Sequence, residues 1–313
     1  MSDGPSYRGG LARIATAGLI WGSIALFSRQ VGTSPFVIVF WRVAFAAVVV
    51  AVYLAWKRRL GEIVALPVRR KLALAGVGAL LALNWVFFFS ALQLTDVAVA
   101  VLLGYLGPIL VMAFAPLVAR EPFDRRVVVP LALALIGTVI IVGPRGVQLA
   151  GGTHLLGAAF AFASAFTYAM LVLTAKRLLR GIPPMVYMLG EDLAAALVLL
   201  PVVIFLPGPA TPVEWGSLAT LGIVHTAATG FLFLSALRVV RADHAAVLTY
   251  AEPVSAVIFA ALFLGEAITA STAIGGLMVV LAGVMVARME PAPAIEAPGP
   301  VLEAGTDPRE APL

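Results

Sequence analysis

Ten runs of about 20 mostly apolar residues follow one another along this 313-residue chain, with only short breaks between them. A bilayer core of about 30 Å takes about 20 apolar residues per helix to cross. Backbone polar groups in lipid must be satisfied within the segment, so runs this long are expected as helices and not as barrel strands. The spans are read at 11–29, 35–56, 72–94, 97–119, 127–144, 155–175, 184–206, 214–237, 244–264 and 268–288. The breaks carry turn residues: Gly32 with Pro35, Pro144 with Gly146, Gly181 with Pro183 and Pro184, and Pro207 through Pro212. Only 12% of the residues are charged, against about 25% in a soluble domain. The fold class is therefore an all-α integral membrane protein of ten transmembrane helices, with no room left for a separate soluble domain.

The net charge of +5 invites a nucleic-acid reading, but the basic residues form no stripe or arm. They sit in short segments between apolar runs, as membrane topology requires. With the N-terminus inside, eighteen of the 21 lysines and arginines fall in cytoplasmic segments. Arg29 and Arg145 fall outside, and Arg42 lies within a span. This positive-inside bias predicts a multi-pass protein of the cytoplasmic membrane with both termini cytoplasmic. Ala15-Thr16-Ala17 looks like a cleavage site, but almost no apolar run precedes it, so the run from Leu11 is read as the first span. There are no cysteines, and His154, His225 and His244 are too scattered for a zinc motif, so neither a metal nor a cofactor is expected. Residues 1–10 read as a short cytoplasmic tail. Residues 290–313, rich in Pro, Ala and Glu, read as a disordered one.

The chain repeats itself at an offset of 145 residues. Phe88-Phe89-Ser90-Ala91-Leu92 matches Phe233-Leu234-Ser235-Ala236-Leu237, Tyr105 matches Tyr250, Pro108 matches Pro253 and Glu121 matches Glu266. The two copies are expected at 11–144 and 145–289. Each holds five spans, an odd number, so the second copy must enter the membrane with the opposite orientation. Inverted five-helix repeats are a recurring construction in secondary transporters, with the site near the midplane where the halves meet.

The order of motifs resembles a known family. Trp21-Gly22-Ser23 lies in the first span, Arg42 in the second, Ser90-Ala91-Leu92 ends the third, and Pro108 and Glu121 mark the fourth. The second half has Ser235-Ala236-Leu237-Arg238, Glu252-Pro253 and Leu264-Gly265-Glu266. This set is similar to the EamA family of the drug/metabolite transporter superfamily, across all ten spans. The resemblance implies two inverted EamA units and export or uptake of small metabolites, in many members amino acids. One departure stands out: Gly107 occupies the place of Glu252, so the halves differ at the expected site.

Several residues are candidates for the site. Pro108 and Pro253 interrupt the fourth and ninth spans at matching positions, either as transport-site breaks or as tolerated kinks. Tyr105 and Tyr250 precede them by three residues, on the same helix face, and offer an aromatic wall or a hydroxyl bonded to nearby backbone. Glu252, an ionisable group deep in a span, is expected to meet a substrate ammonium or a coupling proton, or to be a neutral or paired structural carboxyl. Arg42 fits a substrate carboxylate, a structural ion pair or a polar cavity. Glu191 and Asp192 lie at similar depth in the seventh span. They point about 100° apart, so only one is expected to face a site. His225, with Thr229 one turn later, suits a proton relay or a packed core position. Asn84 can bond a ligand or another helix. Trp21 and Tyr168, in corresponding spans, can stack on a ligand or pack. Glu121 and Glu266 read as caps or boundary markers.

The leading reading is a secondary transporter with a small-molecule substrate, lipid surroundings and proton coupling. Nothing resembles a Walker motif. A membrane enzyme acting on a lipid or peptide would need a nucleophile with a credible base or paired metal ligands, which the sequence does not offer. A channel would need rings of like charge or a backbone filter, and a scaffold has no use for Glu252 and His225.

Overall fold

The computed structural model describes residues 6–95, 97–142, 152–265 and 268–289. Among these, ten helical segments are long and apolar enough to cross a membrane: α1 (Tyr7–Ser28), α2 (Pro35–Trp56), α3 (Val68–Leu94), α4 (Val99–Val118), α5 (Arg125–Val142), α6 (Thr153–Leu178), α7 (Pro184–Val203), α8 (Pro212–Leu237), α9 (Ala242–Phe263) and α10 (Ala270–Ala287). They form two inverted five-helix halves, as the odd repeat requires. Large apolar side chains such as Val52, Leu197, Leu262 and Leu277 stand exposed on the outer surface, the arrangement a hydrocarbon solvent favours. Residues 290–313, Glu266 and Arg145 lie outside the described residues.

Local chemistry sets the helix ends. Ser34 caps α2, with its hydroxyl accepting from Val37 N and Pro35 in the first turn. Thr211 and Glu214 form a capping box at the start of α8. The Glu214 carboxylate also accepts from Gly32 N at 3.0 Å, tying the α1–α2 turn to α8. The third span starts four residues earlier than expected, because Pro67 caps it and Arg69, Arg70 and Lys71 lie on its first turn with their heads outward.

In lipid there is little hydrophobic drive between helices, so close approach depends on small residues. The halves meet through them. A Cβ on Gly137 of α5 would lie 2.6 Å from Gly275 O of α10, and one on Gly275 would lie 2.4 Å from Gly137 O. Gly78 of α3 abuts Glu191 O of α7, and Gly222 of α8 abuts Arg42 O of α2. The second pair repeats the first with the halves exchanged, so Arg42 and Glu191 occupy corresponding places with opposite charges.

Four spans depart from regular helix. α1 breaks at Gly22–Ser23, between Tyr7–Trp21 and Ile24–Ser28. α4 breaks at Tyr105–Leu106, and α9 breaks at Tyr250. α8 carries a π-helical turn at Ile223–Ala228. Lys176, one of the eighteen basic residues assigned to cytoplasmic segments, is buried near the end of α6. It is held there by an ion pair and helix-end carbonyls that no sequence pattern displays.

Candidate functional site

The breaks gather around a central cavity of about 730 Å³. Trp21, Asn84, Tyr105, Pro108, Tyr168, His225, Glu252 and Pro253 line it, and so do Arg42, Glu191 and Asp192. Its lining runs to exposed Arg29 and Thr269 at one end of the bundle. Toward the other end the last lining residues, Ala175, Tyr187 and Leu234, are all buried. The cavity is therefore open at the first end and closed at the second.

The two prolines do not sit in the middle of continuous helices. Each lies in the first turn of the second half of its broken span, Gly107–Val118 and Ala251–Leu264. The missing N–H costs nothing there, because first-turn amides have no partner within the helix. Tyr105 and Tyr250 stack on each other, with ring centroids 5.5 Å apart and planes 28° apart. The Tyr250 hydroxyl donates to Tyr105 O at 2.6 Å. Tyr250 is thus fully buried behind Tyr105 and does not line the cavity, which corrects its expected place in the wall. Its role in the structure is to join the two breaks.

Glu252 lies in the first turn of the second half of α9, and its carboxylate has no hydrogen-bond partner among the described residues. Its backbone O abuts Gly22, at 2.8 Å from where a Cβ would stand. In the other half the sizes are exchanged. Gly107 stands in the place of Glu252, and a Cβ there would lie 2.7 Å from Tyr168 Cδ1. One half offers a carboxylate beside a glycine, and the other offers a tyrosine beside a glycine. The Tyr168 hydroxyl also bonds Thr249 at 3.4 Å, bridging α6 to α9.

Arg42 is 2% exposed. Its Nε donates to Thr226 Oγ1 at 2.6 Å, its Nη2 donates to His225 O at 3.1 Å, and its guanidinium lies 3.8 Å over the Trp85 ring. Nη1 has no partner, and none of the ion pairs among the described residues involves Arg42. Of the expected roles of Arg42, the structural ion pair is therefore not formed among the described residues, while the side chain does reach a polar cavity. The charges of Asp192 and Glu252 act on Arg42 without touching it. Both carboxylates of the seventh span line the cavity, against the expectation of one. A 100° separation excludes both from a narrow cleft but not from a chamber this wide.

The π-helical turn in α8 serves this arrangement. Thr229 N bonds Val224 O and Thr226 O, which leaves His225 O free to accept from both Arg42 and Trp21. Trp21 Nε1 also donates to Thr229 Oγ1 at 2.8 Å. The His225 ring links Thr220 O, at 3.3 Å from Nδ1, to the Ser23 hydroxyl, at 2.7 Å from Nε2. A carbonyl only accepts, so Nδ1 carries a proton, while the Ser23 hydroxyl also reaches Ile20 O at 2.8 Å and has a single proton for the two contacts.

Asn84 bonds another helix. Its Nδ2 donates to Ser164 O at 2.8 Å and to Thr167 Oγ1 at 3.1 Å, joining α3 to α6. Asn84→Ala is expected to cost about 1 kcal/mol of that packing, read as a lower unfolding midpoint in detergent; an unchanged midpoint would remove the bond from the fold. Trp85, Thr226 and Tyr187 escaped the sequence reading, and Ser23 entered it only within the Trp21-Gly22-Ser23 motif. Trp85 adjoins Asn84 and Thr226 adjoins His225, but the π-helical turn that brings Thr226 to Arg42 and the approach of α3 that sets Trp85 under the guanidinium have no sequence signal.

Comparison with known proteins agrees with the fold. The model of the EamA-like transporter family matches residues 8–143 and again 155–288. A protein named "Uncharacterized transporter" from Archaeoglobus fulgidus is 29% identical over 286 residues, 90% of this chain and 97% of its own. One named "Uncharacterized transporter YxxF" from Bacillus subtilis (strain 168) is 26% identical over 79% of each chain. A solved protein crystal structure at 24% identity superposes with a TM-score of 0.78, covering 90% of this chain and 98% of that one. With a family model matching both halves and relatives named as transporters, the chain belongs to the EamA-like transporter family and is a multi-pass membrane transporter.

Proposed function

We propose that the protein is a secondary transporter of the cytoplasmic membrane that exports a small amphipathic metabolite by alternating access. The observation that carries this reading is the single guanidinium of Arg42 set among Asp192, Glu191 and Glu252 with no direct ion pair, in a cavity walled by Trp21, Trp85, Phe88 and Tyr168. Separated opposite charges beside an aromatic wall suit a zwitterion with an apolar body. An amino acid with an apolar or aromatic side chain has that chemistry. Glu252, without a structural partner, would meet its ammonium or carry a coupling proton. The end at which the cavity opens is the one that charge distribution assigns to the outside.

Flux into liposomes carrying the purified protein tests this, with a panel of labelled amino acids and an imposed proton gradient. Saturable flux of aromatic or branched amino acids that follows the gradient is the expected result. Flux only of nucleosides, vitamins or drugs would move the substrate to another class. Turnover of a lipid or peptide without a gradient would favour an enzyme, and conductance far above a carrier cycle would favour a channel.

A further inference from the structure

Outside the cavity, a densely bonded polar group lies at the closed end. Lys176 of α6 is buried, and all three ammonium hydrogens have an acceptor: Leu237 O at 2.7 Å, Val240 O and Glu121 Oε1 at 3.3 Å. Glu121 follows α4 and is also buried. Its Oε2 accepts from Ala242 N at 2.8 Å. Leu237 is the last residue of α8, and Ala242 is the first of α9. The cation therefore sits on the carbonyl end of one helix and the anion on the amide end of the next, each matched to the partial charge it meets. The pair clamps the α8–α9 turn to the ends of α4 and α6. Ala175, the neighbour of Lys176, is part of the cavity floor.

Among the described residues this clamp is one-sided. The ion pairs among the described residues, Arg59–Glu62, Asp124–Arg126, Glu121–Lys176 and Arg241–Asp243, all lie at this end, and the opposite end has none of them. That is the end at which the cavity opens. A symmetric carrier would face either side with equal energy. Here one end has a charged clamp capping two helices, and no ion pair among the described residues stands at the other.

We propose that Glu121 and Lys176 form a latch that holds the empty carrier closed at this end, and that it must part for the cavity to open there. The proposal rests on the alternating-access reading above. Other contacts across the same end go mostly to backbone, such as Arg241 to Pro122 O and Arg180 to Ala119 O, and they would part with the latch. The latch binds no substrate. Its effect is on which side the vacant site faces.

The chain has no cysteine, so single introduced cysteines report accessibility without background. Leu234→Cys reports the cavity floor that the latch underlies, and Thr272→Cys reports the open mouth. The measurement is labelling of the full-length protein in sealed vesicles of known orientation, without substrate, by a membrane-impermeant maleimide added on the latch side for 234 and on the mouth side for 272, so that the bilayer keeps the reagent from reaching 234 through the open mouth. Lys176→Met is expected to speed labelling at 234 about tenfold and to slow it at 272. Glu121→Gln, which keeps its shape, should shift both rates in the same directions by a smaller factor. The exchange Glu121→Lys with Lys176→Glu should fail to restore closure, because each charge would then oppose its helix end. Unchanged rates, a rise at both positions, or restored closure in the exchange would overturn the latch. Labelling that shifts as expected in a protein with no amino-acid flux would keep the latch and refute the substrate reading. Normal flux with unmoved labelling would do the reverse.

Discussion

Glu252→Gln is expected to lower saturable flux at least tenfold, about 1.4 kcal/mol in the rate-limiting step, and to leave the fold intact. The two side chains have nearly the same shape, and the carboxylate has no hydrogen-bond partner in the described structure to lose. The unfolding midpoint in detergent should therefore stay where it is, and the loss would belong to the transport cycle alone. Dependence on a proton gradient should disappear with the carboxyl, while Glu252→Asp should retain part of both. Flux at the original level in Glu252→Gln would take this carboxyl out of the cycle and direct attention to Asp192 and Glu191, the two other carboxylates on the cavity wall.

Gly22→Val is expected to have the opposite signature, with the fold failing first. A Cβ at position 22 would lie 2.1 Å from Ser255 Oγ, 2.6 Å from Ala256 N and 2.8 Å from Glu252 O. The serine can rotate away, but the backbone of α9 cannot. α1 would have to retreat where its own break brings Trp21 and Ser23 to α8. Overpacking of this kind costs about 1–3 kcal/mol, and a drop of about 5–10 °C in the midpoint is expected, with flux lost in the same variant. Gly76→Ala is the control. Nothing lies within 4 Å of a Cβ there, so the change should be neutral or slightly stabilising. Equal behaviour of the two variants would show that close approach at Gly22 does not hold α1 on α9.

The sequence signals that worked were those written in local chemistry. Apolar length placed the ten spans, because lipid imposes a fixed thickness. The repeated Tyr-x-x-Pro placed the breaks in α4 and α9, because proline restricts the backbone wherever it stands. Two other breaks had no such mark. α1 yields at Gly22–Ser23 and α8 adopts a π-helical turn at 223–228 because of what each meets across the cavity, and neither Gly-Ser nor Ile-Val-His-Thr-Ala-Ala demands it alone. Tyr105 and Tyr250 show the same limit. Periodicity gave them equivalent faces, yet the stacking that hides one behind the other depends on how the halves approach.

By itself, then, the sequence determined the class of protein, the number of spans, the inverted duplication and the depth of Glu252, Arg42 and His225. These follow from composition and order along the chain, which hydrocarbon reads directly. Only the tertiary structure decided that Arg42 stands without an ion pair, that both Glu191 and Asp192 reach the cavity, and that Lys176 is buried beneath its floor. Each depends on the position of groups more than 100 residues away or on another helix, and a contact between helices leaves no periodic trace in either one.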